Sequence, residues 1–256
     1  MPELKLDHIV HYVNDLGAGI QLFTDAGLDA FRGGSHTRWG THNALCYFGL
    51  FYVELLGIER PEYAKNPEEP NLLVEDAVKF LPGRETFGRI AFRTQNIEEL
   101  AASLASKGAA VTPIKDGKRL NAQGQLIEWR MMMIEGNING LVFPFIIQWK
   151  VDDQERFRAM SEAGIIKPHP AGNVKFGSAV FEVSDPSETA LRWSELFGFP
   201  AEIKSGGDSA VLTVDGKPLI FAKGTKNNLS RIVFKTEAPG LKGTTLHIGE
   251  GEYGFE

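Results

Sequence analysis

The chain has 256 residues, of which 43% are hydrophobic and 23% are charged, and its net charge is −6. This composition is typical of a globular protein with one large or two modest domains, and it excludes the disordered, collagen-like and coiled-coil classes. The excess of acidic residues also argues against a nucleic-acid partner.

Cysteine content and hydropathy narrow the class further. The single Cys46 excludes an intramolecular disulfide and a metal site built from several cysteines. The first residues lack the basic start, apolar run and cleavage site of a signal peptide. The longest nearly apolar stretch, residues 44–58, is too short for a bilayer and contains Glu54. We therefore expect a cytoplasmic protein with no membrane partner.

One type of segment occurs four times along the chain. The copies begin at Leu6, Phe87, Phe176 and Leu229 and read LDHIVHYV, FGRIAFRT, FGSAVFEV and LSRIVFKT. Their β-branched and aromatic residues, at strand length, predict β-strands. The chain is therefore interpreted as a set of repeated units.

A stretch of helix length follows each of the first three copies. Each stretch begins after a residue that can cap a helix and ends at a glycine that tolerates left-handed backbone. The caps are Asp15, Asn96 and Asp185, and the glycines are Gly27, Gly108 and Gly198. Because these residues recur in almost the same register, the pattern predicts three helices in equivalent positions.

Short strands are predicted after each helix. Two of these strands can be placed in every unit. They cover residues 43–48, 51–58, 126–134, 141–149, 209–214 and 217–222. Asn137–Gly140 and Asp215–Gly216 are turn signals within them. The fourth copy has room only for two strands, around His247 and Tyr253. The sequence thus predicts an α+β fold of repeated βαβββ units.

Charged and proline-containing segments separate the units. Residues 59–69 form one linker, and residues 151–173 are predicted to combine a short helix with a proline-broken connection. The second segment would separate an N-terminal domain over 1–150 from a C-terminal half over 174–256. The predicted units of that domain are about 1–60 and 85–150, whereas the C-terminal half holds one unit and a truncated copy.

The first unit resembles a known superfamily. Its opening LDHIV and the later GGSHTRWGTHNALCYFGLFYVELLGIE resemble the vicinal oxygen chelate superfamily (glyoxalase, bleomycin resistance and extradiol dioxygenase), in its glyoxalase-like subgroup. The resemblance implies curled, open-barrel mixed sheets with helices outside and a divalent metal on the concave face. It also implies ligands on the first and last strands of the unit, which are His8 and Glu54 here.

His8 and Glu54 are the candidate catalytic and metal-binding residues. Imidazole and carboxylate suit Zn, Mn, Fe or Ni. The strand period predicts that each side chain shares a face with alternate neighbours. These are Leu4, Leu6, Val10 and Tyr12 for His8, and Tyr52 and Leu56 for Glu54. The structural alternative is a core histidine and a glutamate paired with a nearby Arg or His, because an unpaired buried carboxylate is costly.

The other units do not repeat this pair. The residues at the position of His8 are Arg89, Ser178 and Arg231, and those at the position of Glu54 are Phe145 and Phe221. Catalytic metals generally use three protein ligands, and the first unit otherwise offers only His11, His36 and His42. A bound divalent metal and metal-free use of the pair therefore both stay open. The sequence contains no dinucleotide fingerprint, so no nucleotide cofactor is expected.

Arginines and a donor-rich segment supply candidate substrate-binding residues. Arg89 would hold a carboxylate, phosphate or enolate oxygen, or alternatively form a salt bridge to Glu54. Arg130 is expected to line the same concave face from the second unit. Residues 33–43 are predicted to form a loop that closes over a ligand, or else a turn whose side chains satisfy the backbone. The candidate contacts in this loop are His36, Arg38, Trp39, Thr41, His42 and Asn43.

Together with the resemblance, these residues favour a glyoxalase-like small-molecule enzyme acting on an oxygen-rich, anionic substrate. Isomerase, lyase or dioxygenase chemistry would proceed through an enediolate-like anion, with a metal or with Glu54 as base and Arg89 stabilising the charge. The alternative is a non-catalytic protein that sequesters a small molecule, as the missing second ligand pair suggests. A third interpretation makes one half a dimerising scaffold, which is compatible with a homodimer.

Overall fold

The computed structural model describes residues 2–120, 124 and 126–256. In the first half of the chain the strands are β1 (Lys5–Tyr12), β2 (Ala30–His36), β3 (Thr41–Phe48), β4 (Phe51–Ile58), β5 (Thr86–Arg93), β6 (Lys115–Leu120), β7 (Leu126–Met133), β8 (Asn137–Ile138), β9 (Leu141–Val142) and β10 (Phe145–Trp149). In the second half they are β11 (Val174–Val183), β12 (Ala201–Ile203), β13 (Ser209–Val214), β14 (Lys217–Lys223), β15 (Asn228–Thr236), β16 (Thr245–Ile248) and β17 (Gly251–Phe255). The helices are α1 (Leu16–Asp25), α2 (Pro61–Lys65), α3 (Leu72–Phe80), α4 (Ile97–Ser106), α5 (Asp153–Glu162) and α6 (Pro186–Phe197).

The four repeated segments form the strands β1, β5, β11 and β15, as predicted. The helices that follow the first three are α1, α4 and α6, and side chains cap their N-termini as expected. The capping residues are Asp15, Asn96 and Asp185. A glycine with positive φ follows each helix, so the local signals determine both helix ends.

The strands form two large mixed sheets with equivalent topologies. The first has the order β2-β3-β4-β1-β5-β10-β7-β6, and the second has the order β12-β13-β14-β11-β15-β17-β16. In each sheet the first strand of a unit pairs in parallel with its last strand and antiparallel with the first strand of the next unit. The predicted α+β fold of repeated βαβββ units in curled mixed sheets is confirmed.

The predicted loop at residues 33–43 is shorter in the structure. Strand β2 continues to His36 and β3 begins at Thr41, so only residues 37–40 form the turn between them. The two strands pair with a register shift between Arg32 and Gly34. Such a bulge absorbs one extra residue, and Gly33 and Gly34 lie beside it within β2.

The two faces of the first sheet pack against different partners. The face carrying Ile9 and Phe92 joins the helices and the second sheet in one continuous hydrophobic core. Direct ring contacts cross between the sheets, such as Phe48 with Phe234 at 4.2 Å. The opposite, concave face carries a separate apolar cluster that includes Val10. Because one core spans both sheets, the division into domains over 1–150 and 174–256 stays a prediction.

The segment between the first two units is a folded cover and not a bare linker. It contains α2 and α3, and α3 packs its apolar side over the concave face of the first sheet. The predicted short helix in residues 151–173 is α5. No helix within the described ranges is long and apolar enough to span a membrane.

Candidate functional site

A β-bulge in β1 determines which side chains reach the concave face. The pairing of β1 with β5 shifts register between Leu6 and His8. As a result Leu4 and Leu6 pack in the core between the sheets, whereas Val10 packs on the concave face. The prediction that Leu4 and Leu6 share the face of His8 is therefore wrong, because it assumed a regular strand.

The bulge brings three ionisable side chains into contact. Oδ1 of Asp7 lies 2.7 Å from Nδ1 of His8, and Nε2 of His8 lies 3.4 Å from Oε2 of Glu54. The other carboxylate oxygen of Glu54 accepts a 2.6 Å hydrogen bond from the side-chain amide of Asn43. The imidazole ring is stacked on Tyr52, with centroids 4.4 Å apart. The result is a carboxylate–imidazole–carboxylate chain with a defined orientation.

Asp7, at the inner end of this chain, has no exposed surface. Its second carboxylate oxygen accepts hydrogen bonds from the indole of Trp149 at 3.0 Å and from Arg156 at 3.1 Å. The guanidinium of Arg156 also lies over the ring of Trp149, 4.0 Å from its centroid. Asp7 thus joins the site to helix α5, which carries Arg156.

Mutual contact shifts the pKa values of all three groups. Burial would raise the pKa of Glu54, but the hydrogen bond and charge of His8 outweigh it and lower the pKa to about 2. Burial would likewise raise the pKa of Asp7, but Arg156 and His8 hold it below its ordinary value. Burial alone would lower the pKa of His8, whereas the two carboxylates raise it. Both neighbouring carboxylates thus favour the charged form of the His8 ring.

We expect the free energy of unfolding to decline on both sides of a mildly acidic maximum. Glu54 has a folded pKa of about 2 and an ordinary value of 4.5, so its contribution is complete above pH 4.5 and is lost as the pH falls towards 2. The pKa of His8 is raised above 6.5, so its contribution is complete below pH 6.5 and is lost as the pH rises through the folded value. Urea unfolding across this pH range measures both declines. An alkaline decline that persists unchanged in His8→Gln would contradict the assignment to His8.

His8 and Glu54 lie at a cavity of about 60 Å³ on the concave face. Of the residues predicted from the sequence, those lining this cavity are His8, His36, Trp39, Thr41, Asn43 and Glu54. Nδ1 of His36 lies 3.0 Å from the hydroxyl of Thr41, and burial lowers the pKa of the imidazole. Leu73 and Val74 of helix α3 also line it. The cavity is thus small and mostly apolar.

Arg89 lies outside this cavity lining, in a structural ion pair. Its Nε donates to Asp76 of α3 at 2.8 Å, and its Nη1 donates to the carbonyl of Phe143 at 3.0 Å. The sequence offered a salt bridge from Arg89 to Glu54 as one alternative. In the structure Arg89 pairs with Asp76 instead. Arg89 therefore fastens the covering helix to the sheet.

Three further predicted contacts also lie outside the lining of this cavity. Arg38 pairs with Glu69, and Arg130 pairs with Glu98. Nδ1 of His42 lies 3.7 Å from a carboxylate oxygen of Glu59 at the rim. Glu59 and Glu69 belong to the predicted linker and Glu98 to helix α4, and strand periodicity alone does not locate them.

Sequence reasoning missed several residues of the site. Asp7 was overlooked although it stands beside His8 in LDHIV, where a carboxylate within an apolar strand is itself a signal. Arg119 and Trp149 line the cavity from β6 and β10, but neither stands in a recognisable motif. Asn71 and the adjoining residues of α3 come from residues 70–84, between the predicted linker and the second unit, where the sequence predicted no element.

The side chains around His8 do not fit a catalytic metal centre. In the first unit Glu54 pairs with Val10, two residues after His8. Phe145 pairs with the equivalent Ala91 in the second unit, as predicted. In the third unit the equivalent Val180 pairs with Ile220, so the predicted counterpart Phe221 is wrong by one residue. Within the part of the chain that the structure describes, no three His, Cys, Asp or Glu side chains are grouped to hold a metal. Catalytic metals generally need three protein ligands.

Comparison with solved structures identifies proteins of similar fold. A hypothetical protein from Staphylococcus aureus is 21% identical, with 99% of each chain covered and a TM-score of 0.84. A variant of 4-hydroxymandelate synthase from Streptomyces coelicolor is 13% identical over 92% of this chain and 72% of that one, with a TM-score of 0.55. A variant of methylmalonyl-CoA epimerase from the same organism is 20% identical over 59% and 100%, with a TM-score of 0.44. At these identities the likenesses concern the fold alone.

Sequence comparison assigns the family. No protein of curated function matches the sequence. The profile of the Glyoxalase-like domain family matches residues 6–197, which is most of the chain and includes His8, Asn43 and Glu54. The chain therefore belongs to the glyoxalase-like domain family.

Proposed function

We propose that the protein is an isomerase or lyase that moves a proton at a carbon next to a carbonyl group, without a resident metal. The observation that carries this proposal is the buried chain of Asp7, His8 and Glu54 at the cavity. Burying ionised groups is costly, and well-packed apolar residues often stabilise a core equally well. A chain of this kind at a cavity is accordingly a candidate for acid–base chemistry.

The proposed roles follow from the chemistry of each group. The carboxylate of Glu54 takes the proton from the carbon. The imidazolium of His8 donates Nε2–H to the carbonyl oxygen, on which negative charge develops. Asp7 accepts from Nδ1 and so orients the ring with its other nitrogen towards the cavity. Return of the proton from Glu54 to a neighbouring carbon completes an isomerisation, whereas return to the same carbon regenerates the substrate.

Substrate binding would strengthen the base. In the free protein, Glu54 has a pKa of about 2 because His8 bonds it, and such a carboxylate is a weak base. A substrate oxygen that accepts Nε2–H takes this bond away from Glu54, so the pKa of the carboxyl rises towards its ordinary range. The amide of Asn43 still holds the other oxygen, which keeps the carboxylate in position.

Proton exchange with solvent tests this proposal without knowledge of the net reaction. The protein is incubated in D₂O with a panel of 2-oxo, 2-hydroxy-3-oxo and 1,3-dicarbonyl carboxylates, and loss of the C–H signal is followed by NMR. We expect enzyme-dependent exchange of at least one member of the panel. A protein that exchanges none of these compounds above the uncatalysed rate would not support the proposed chemistry.

Metal content distinguishes the proposed metal-free enzyme from one that holds a divalent metal at His8 and Glu54. We expect the purified protein to hold well under one metal ion per chain and to gain none stoichiometrically on soaking with Mn, Fe, Ni or Zn salts, because the site offers two ligands. Elemental analysis by mass spectrometry measures this. Stoichiometric metal that disappears in both His8→Ala and Glu54→Ala would overturn the metal-free version.

A non-catalytic binding protein is the second candidate. The observation that favours it is a larger apolar groove, of about 290 Å³, next to the His8–Glu54 cavity. A sequestering protein would bind a ligand in this groove and catalyse no exchange. The exchange assay described above therefore distinguishes the two functions.

A further inference from the structure

The His8–Glu54 cavity adjoins a second, larger cavity on the same concave face, which we call the groove. The groove measures about 290 Å³ and is bordered by strands of the first sheet and by helix α5. Leu45, Arg119 and Trp149 line both cavities. The two cavities therefore meet at these three residues.

The two cavities differ in what they can hold. The inner cavity, at about 60 Å³, has room for only a few heavy atoms beside His8 and Glu54. The groove approaches the lower end of the usual range for small-molecule sites, which begins at about 300 Å³. Its walls are mostly apolar, with Phe31, Ile127 and Met160 among them. A matching ligand thus has a small reacting end and a larger apolar body.

Arg119 supplies a positive charge at the junction of the two cavities. It lies in β6 and is half-buried, and its Nη1 donates to the carbonyl of Gly33 at 3.0 Å. Among the residues that the structure describes, it forms no ion pair. The other cations of the groove are paired: Arg32 with Glu59, Lys150 with Glu128 and Arg156 with Asp7. Arg119 is thus the groove cation left available for an anion.

We propose that Arg119 binds the anionic group of an amphipathic carboxylate whose apolar body lies in the groove. A guanidinium bordered by apolar walls forms stronger charge-assisted hydrogen bonds than one in water. With the carboxylate held at the junction, a reactive substituent on the adjoining carbon would reach the inner cavity beside His8 and Glu54. This last step rests on the proposed function of His8 and Glu54, whereas binding by Arg119 does not.

Octanoate and octanamide, which differ in charge and hardly in size, test the proposal by isothermal titration calorimetry. We expect the wild-type protein to bind octanoate roughly 10- to 100-fold more tightly than octanamide, as is typical of a charged hydrogen bond. Arg119→Gln should reduce this preference to within about threefold. Lys118→Gln is the matched control, because it removes the same charge from the preceding residue of β6. The side chain of Lys118 is exposed and points to the opposite face of the strand.

Three results would overturn the proposal: no binding of octanoate, equal binding of the acid and the amide, or equal losses in the two variants. Glu54→Gln separates this proposal from the catalytic one, since that variant should retain the preference for octanoate. A wild-type protein that prefers octanoate but exchanges no proton of the carbonyl panel would refute the proposed catalysis and leave the role of Arg119 standing.

Discussion

Replacing Glu54 by glutamine is expected to lower the rate of substrate proton exchange by roughly 10²- to 10⁴-fold, the usual contribution of a general base. The amide has nearly the shape of the carboxylate, and its oxygen can still accept from Asn43. It cannot, however, take up a proton from carbon. The rate is measured by NMR in D₂O on the compound that the wild-type protein exchanges fastest.

Glu59→Gln is the matched control for this experiment. Glu59 follows β4 directly, is exposed and pairs with Arg32 at 3.1 Å, and it does not line the cavity. We expect its exchange rate to stay within about threefold of the wild type, since it lacks a role in proton transfer. A Glu54→Gln protein that is folded and exchanges at the wild-type rate would rule out Glu54 as the base.

Replacing Asp7 by asparagine is expected to lower the free energy of unfolding by about 3–5 kcal/mol. Asp7 has no exposed surface and accepts from Arg156, whose side chain is also buried. Asparagine preserves the volume but leaves the guanidinium without its buried counter-charge. Urea unfolding monitored by circular dichroism measures the loss, with the slope of the transition confirming that the same surface is exposed.

Two further variants make the cause of this loss testable. Asp208→Asn removes a carboxylate from an exposed pair with Lys223, and we expect a change of about 0–1 kcal/mol. Combining Asp7→Asn with Arg156→Met removes the orphaned charge, so part of the lost stability should return. If the double variant were as unstable as the sum of the single ones, the loss would come from packing instead.

The regular elements could be predicted from local signals. The strand at residues 86–93 was recognised by its β-branched and aromatic residues, and α4 by its Asn96 cap and the glycine after it. Such signals act within a few residues, so the sequence displays them directly. The consecutive residues Asp215 and Gly216 are another local signal, because this dipeptide is typical of a hairpin turn. Both have positive φ in the structure.

The orientation of the site was less predictable, because it depends on a single bulge. Strand periodicity predicted that Leu6 shares a face with His8. The register shift in β1 separates the two and brings Asp7 to the imidazole. A bulge arises from pairing with another strand, here β5, and the residues of β1 alone do not reveal it.

The resemblance to a known superfamily singled out His8 and Glu54 as a pair on the first and last strands of one unit, and the repeat pattern predicted the βαβββ units around them. Only the tertiary structure decided how each ionisable group is used. It pairs Arg89 with Asp76 and joins Asp7 to Arg156, and it brings Arg119 to the cavity. The physical reason is distance along the chain: periodicity and capping act over a few residues, whereas ion pairs and cavities join residues that only the folded sheet brings together.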